Sequence, residues 1–134
     1  MILTDAGYLI ALVSARDALH ERAPWSRRLI GEQALITEYV LIEAANHLRA
    51  PMHRHRLGAL VEWIRTDSRC VFVPASPELF DGGWRLFQER RDKAWSLTDC
   101  ISFYVMHERG IREALAYDEH FEQAGFVALL RRDP

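Results

Sequence analysis

Apolar positions along the chain switch repeatedly between short unbroken runs and a spacing of three and four, the mark of strands alternating with helices. Residues 1–4 form a short apolar run that ends at Asp5, and residues 7–14 begin a helix around Tyr8-Leu9-Ile10-Ala11-Leu12-Val13. A second helix is predicted over residues 18–30, with Pro24 as a kink or break. Residues 34–36 read as a strand before a clear helix start: Thr37 as N-cap, Glu38 in the first turn, then Val40, Leu41, Ala44, Ala45 and Leu48 at helical spacing. Pro51 opens another helix with Leu57, Leu60, Val61 and Ile64, and Cys70-Val71-Phe72-Val73 is a buried-strand run closed by Pro74. Ser76-Pro77-Glu78 supplies a cap, a proline at the first helical position and an acid in the first turn. A helix over residues 96–109 is stopped by Gly110; residues 113–117 read as a strand, 119–124 as a short helix and 126–130 as the last strand.

Strands separated by helices predict a parallel sheet covered on both faces, an α/β sandwich. In open sheets of this kind the chemistry sits beyond the carboxyl ends of the strands. The residues directly after each apolar run are therefore the ones to weigh. Asp5 and Asp118 both stand there, and both also suit a plain helix N-cap. Glu43 and His47 flank the apolar face formed by Val40, Ala44 and Leu48, where a solvent-facing glutamate and a core-edge histidine are the ordinary alternatives to a site role. Asp99 begins a helix that is apolar on most of its circumference (Leu97, Ile101, Phe103, Tyr104, Val105, Met106), so its carboxylate enters a buried element and needs compensation. Part of that compensation is available locally, because Ser96 and Asp99 have the spacing of a capping box.

Composition limits what these acids can be doing. With 134 residues, 49% hydrophobic and 27% charged, the chain is read as a single domain spanning residues 1–134, with no linker, repeat or low-complexity tract. No apolar stretch approaches the roughly 20 residues of a membrane span, no export signal opens the chain, and Cys70 and Cys100 stand apart from any metal-binding or redox spacing, so a cytoplasmic protein with reduced thiols is expected. The net charge of −2 excludes a surface that is basic throughout, but not a local basic strip. Arginines cluster at 27–28, 54 and 56, 90–91 and 131–132, where the alternative is a solvated helix face with paired charges. Of the tryptophans, Trp25, Trp63, Trp84 and Trp95, most are expected in the core, with some available for a docking groove or dimer surface.

Two acids ending strands, one starting a buried helix and one edging an apolar face can share a crevice. Carboxylates brought that close raise one another's pKa values unless a divalent cation neutralises them. Oxygen-only ligands with no clustered Cys or His favour Mg²⁺ or Mn²⁺, and a hard cation in an acidic cleft suits phosphodiester hydrolysis.

In order along the chain, Ile2-Leu3-Thr4-Asp5-Ala6-Gly7, Thr37 followed by Glu43, Ser96-Leu97-Thr98-Asp99 and Asp118-Glu119-His120-Phe121 resemble a PIN-domain nuclease, most closely the ribonuclease toxins of VapC-type toxin–antitoxin pairs. The resemblance covers essentially the whole chain. It implies a three-layer α/β/α fold with a mostly parallel central sheet, Mg²⁺- or Mn²⁺-dependent cleavage of RNA, a homodimer, and inhibition by a cognate antitoxin. Carried over by position, it makes Asp5, Glu43 and Asp99 the metal-binding core and Asp118 the fourth acid. The chain departs from the pattern at Ala6 and Gly7, where a Ser, Thr or Asn is usual, and at Ala116, where a Thr is usual. The expected reaction is in-line attack by water on phosphorus, with arginines at 53–56 or 90–91 holding neighbouring phosphates and Asp92 a candidate for the cleft mouth. The competing readings are a DNA or flap nuclease, for which 134 residues leave no clamping insertions, and an RNA- or partner-binding module with a dead site. An aspartyl phosphatase would want Asp-x-Asp after the first strand, where Gly7 stands instead.

Overall fold

A computed structural model describes residues 1–14 and 32–132. The helix expected over residues 18–30, with Pro24, Trp25, Arg27 and Arg28, lies outside the described residues. The strands are β1 (Ile2–Thr4), β2 (Ala34–Thr37), β3 (Cys70–Val73), β4 (Glu113–Leu115) and β5 (Val127–Ala128). Between them run α1 (Ala6–Val13), α2 (Glu38–His47), α3 (Arg54–Thr66), α4 (Pro77–Glu89), α5 (Leu97–Arg109) and α6 (Glu119–Gln123), with short 3₁₀ turns at Pro51–His53 and Leu129–Arg131. The five strands form one sheet in the order β3-β2-β1-β4-β5, and every pairing is parallel. β1 is central: Leu3 pairs with Leu35 on one side and Ala114 on the other. The chain leaves β1 toward β2 and β3 and returns to its other side as β4, so the order reverses at the β1/β4 junction, where such sheets open a crevice.

Alternation along the strands sends neighbouring residues into two cores. Ile2, Ile36 and Leu115 pack with α1, α2 and α3, whereas Leu3, Leu35 and Ala114 pack with α5, Trp95 and Phe121. The result is the expected three-layer α/β/α sandwich. Local signals fix the helix starts. Thr37 Oγ1 accepts from the amide of Val40, Ser76 Oγ from that of Leu79 and Ser96 Oγ from that of Asp99. Gly110 ends α5 in the left-handed region at φ +67°, which costs a side-chain-free residue little.

The second core is held by a close crossing of α4 on α5. A Cβ on Gly83 would lie 2.8 Å from Ile101 Cα and 2.9 Å from its backbone nitrogen, so only glycine allows this approach. Burial of α5 agrees with its pattern: Cys100, Ile101, Phe103, Val105 and Met106 are inside, and Asp99 with them. The tryptophans differ from expectation. Among the described ones only Trp95 is buried, while Trp63 on α3 and Trp84 on α4 are 40% and 41% exposed, and Trp84 stacks there with the exposed Phe80 and Phe87. The last two strands are shorter than their apolar runs, since Ala116 turns out of the sheet toward Asp118 and the chain coils into a 3₁₀ turn at Leu129.

Candidate active site

The reversal at β1/β4 sets Asp5 inside the crevice. Its amide donates to Leu115 O at 3.2 Å, tying the end of β1 to the end of β4. It stands at the N-cap position of α1, but its side chain makes no capping hydrogen bond, so the capping alternative does not explain its carboxylate. Asp99 does cap: Ser96 N donates to its Oδ2 at 3.2 Å, completing the capping box that holds the carboxylate at the start of α5. Asp118 caps α6, accepting from His120 N at 2.9 Å. Glu43 and His47, one turn apart on α2, lie beside the buried Val40 and Ala44, as the helical spacing requires.

All four acids line one cleft of about 640 Å³, together with His47 and His120. Asp5 and Asp99 are buried, at 9% and 8% exposure, whereas Glu43 and Asp118 face solvent across the opening. Crowding shows in the titration of Asp5, whose pKa is pushed up to about 8 first by burial and then by Asp99, with Glu43 and Asp118 adding to the rise and the amide of Ala6 opposing it. Glu43 is raised as well, by partial desolvation and by Asp99 and Asp118, with His47 pulling it down. Among the described residues no lysine or arginine forms an ion pair with any of the four. The side chain paired with them, among the described residues, is that of His120, whose Nδ1 lies 3.0 Å from Asp99 Oδ2 and 3.3 Å from Asp118 Oδ1. The donor set of carboxylates around a partly dry cleft fits a divalent cation, which would supply the positive charge that the neighbouring side chains do not. Asp99, Asp118 and His120 alone bring three ligand atoms within 4.8 Å of one another.

The model of the PIN domain matches residues 2–127. This chain belongs to the PIN-domain family. Among its relatives is the 23S rRNA-specific endonuclease VapC20 of Mycobacterium tuberculosis, in strains CDC 1551 and H37Rv, 32% identical over 131 residues that cover 95% of this chain and 96% of the relative. The crystal structure of Mycobacterium tuberculosis VapC20, a sarcin–ricin loop cleaving toxin, is similar in fold, with a TM-score of 0.84 and 27% identity over 96% of this chain and 98% of that one.

Within this PIN domain the departures from the family pattern have structural counterparts. Ala6 and Gly7 line the cleft without a hydroxyl, and Ala116 is fully buried in the second core, where its methyl packs instead of pointing a donor at the acids. Other expectations need correction. Asp92 is not among the residues that line the cleft; it is paired with Arg90 at 3.0 Å, and Arg90 covers Trp95. Arg54 and Arg56 donate to the carbonyls of Arg49 and Val13, and none of Arg54, Arg56, Arg90 or Arg91 lines the cleft. Among the described residues the arginine that does is Arg131, over the ring of the exposed Tyr117 and ion-paired with Glu122. Sequence reasoning left His120 without a role. The signal available was that an N-cap Asp accepts from the amide two residues on, which places the backbone of residue 120, though not its ring, beside the acid.

Proposed function

We propose that this chain is a divalent-cation-dependent endoribonuclease and the toxin of a toxin–antitoxin pair, with Asp5, Glu43 and Asp99 as the cation-holding core and Asp118 as the fourth acid. The observation that carries this reading is the meeting of four acids from four separate segments in one cleft, without a lysine or arginine paired to them among the described residues. Its support from relatives is the likeness to VapC20 over nearly the whole of both chains. By that likeness the substrate class is structured ribosomal RNA, whose looped-out nucleotides can enter an open cleft.

Mg²⁺ or Mn²⁺, when bound, would polarise a phosphate oxygen and make water a better nucleophile. The chain's own residues do the remaining work. Asp5, its pKa pushed up to about 8 by burial and by Asp99, holds a proton at neutral pH in the cation-free cleft, and with Glu43 and Asp99 it would hold the cation as a carboxylate. Asp118, exposed at the rim, orients the attacking water in line with the leaving oxygen. Arg131 lies where it can hold a phosphate next to the scissile one, its fork already fixed in place by Glu122 and the carbonyl of Tyr117. The capping box holds Asp99 in place without a moving part. A cognate antitoxin, a second copy of the chain and a cytoplasmic setting follow from the same reading.

The test is sequencing of RNA ends after brief expression of the wild type beside Asp5→Ala. Expected are new ends at one or a few structured loops, with the wild type only. Identical end profiles for the two proteins would overturn the assignment.

A further inference from the structure

We infer that His120 is itself a ligand of the catalytic cation, giving the cleft one nitrogen donor beside its carboxylates and tilting its preference from Mg²⁺ toward Mn²⁺. The inference rests on the cation-dependent reading above and specifies the donor set behind it.

The geometry is that of shared coordination. Two ligands at about 2.1 Å from one ion, in adjacent octahedral positions, lie about 3.0 Å apart, and in tetrahedral positions about 3.4 Å. His120 Nδ1 stands 3.0 Å from Asp99 Oδ2 and 3.3 Å from Asp118 Oδ1. Both oxygens are already held by backbone amides, Asp99 Oδ2 by Ser96 N and Asp118 Oδ1 by His120 N. A carboxylate oxygen has two acceptor sites; the second on Asp99 Oδ2 faces His120 Nδ1 within hydrogen-bond distance in the cation-free cleft, so an ion bound between them would take the place of the proton they share. Two helix caps therefore preset the two oxygens, and the backbone of His120 is held by the same turn that places Asp118. Its side chain is 23% exposed, enough to reach an ion entering from solvent yet flanked closely enough to hold one orientation.

Chemistry sets the consequence. Mg²⁺ is served by oxygen and keeps its water shell, whereas imidazole suits the later divalent metals, and Mn²⁺ accepts both donor types. A site with three or four carboxylates and one imidazole therefore discriminates in a way that an all-carboxylate site does not. Among the described residues His47 is the other imidazole of the cleft, and its place beside Glu43 makes it the internal control.

The experiment is electron spin-echo envelope modulation of the full chain loaded with one equivalent of Mn²⁺, paired with calorimetric titrations of Mn²⁺ and Mg²⁺. Wild type and His47→Gln should show ¹⁴N coupling to the manganese, and His120→Gln should lose it. Loss of this ligand should weaken Mn²⁺ binding by about tenfold or more and change Mg²⁺ binding by less than about threefold. The wild-type spectrum needs no variant to fold, and circular dichroism confirms the fold of the variants. Bound Mn²⁺ without nitrogen coupling in the wild type, or coupling that survives His120→Gln, overturns the inference and leaves the nuclease assignment standing. Failure of the wild type to bind either cation overturns both.

Discussion

Replacing Asp5 by Asn should stabilise the cation-free protein, which is the reverse of what removal of a buried, well-paired residue does. The carboxyl is 9% exposed and titrates near 8 in the fold against an ordinary 3.8. Because the folded pKa is the higher one, its contribution to stability is fully present below about pH 4, is lost as pH rises, and is gone above about pH 8. Each pH unit in that window costs about 1.4 kcal/mol, which sets a ceiling of about 4 kcal/mol at pH 7. Local relaxation and water entry reduce the measurable part to about 1–3 kcal/mol, or roughly 3–10 °C in Tm for a chain of this size. Thermal denaturation followed by circular dichroism in chelator, at pH 4.5 and pH 7, reads it directly. At pH 7 the Asn variant should melt higher than wild type, and at pH 4.5 the two should nearly coincide. Millimolar Mn²⁺ should raise the wild type and move the variant much less, because a ligand at free concentration L that binds only the folded state stabilises by RT ln(1 + L/Kd), and loss of the Asp5 carboxylate raises Kd. Equal melting temperatures in chelator at pH 7, or equal gains from Mn²⁺, would refute the claim that Asp5 is held uncomfortably close to the other acids.

Three further outcomes follow from other parts of the molecule. Gly83→Ala should cost about 1–3 kcal/mol in urea denaturation, since its Cβ would press on the Ile101 backbone and force α4 away from α5. Ser102→Ala should stabilise by about 1 kcal/mol, because the Ser102 hydroxyl is buried without a hydrogen-bond partner among the described residues and alanine is the better helix former. Arg131→Gln should raise KM for an RNA hairpin and lower the salt dependence of its binding by about one charge, with kcat less affected.

The α/β order of elements was readable because the two hydrophobic periods differ sharply and because Thr37, Ser76 and Ser96 are unambiguous helix starts. The four acids were readable for a related reason: strand ends in a parallel sheet converge, so Asp5 and Asp118 had a predictable address, and Asp99 was conspicuous in an apolar helix. Arg131 and Tyr117 were not, because a short apolar run does not reveal where a strand stops, and the turn after Ala128 decides what faces the cleft. The burial of the tryptophans failed similarly. Phe80, Trp84 and Phe87 stack along one exposed side of α4, and a helix's apolar width says nothing about how much of it a neighbour covers.

The most direct test of a cleft whose acids work together through a divalent cation is single-turnover cleavage of an RNA hairpin by wild type and by Asp99→Asn, with Mn²⁺ and with chelator. The account predicts cutting at one position by wild type with the cation, and a loss of at least about a hundredfold from the substitution or from the chelator. Cleavage by Asp99→Asn at the wild-type rate, or cleavage undiminished in chelator, would contradict it.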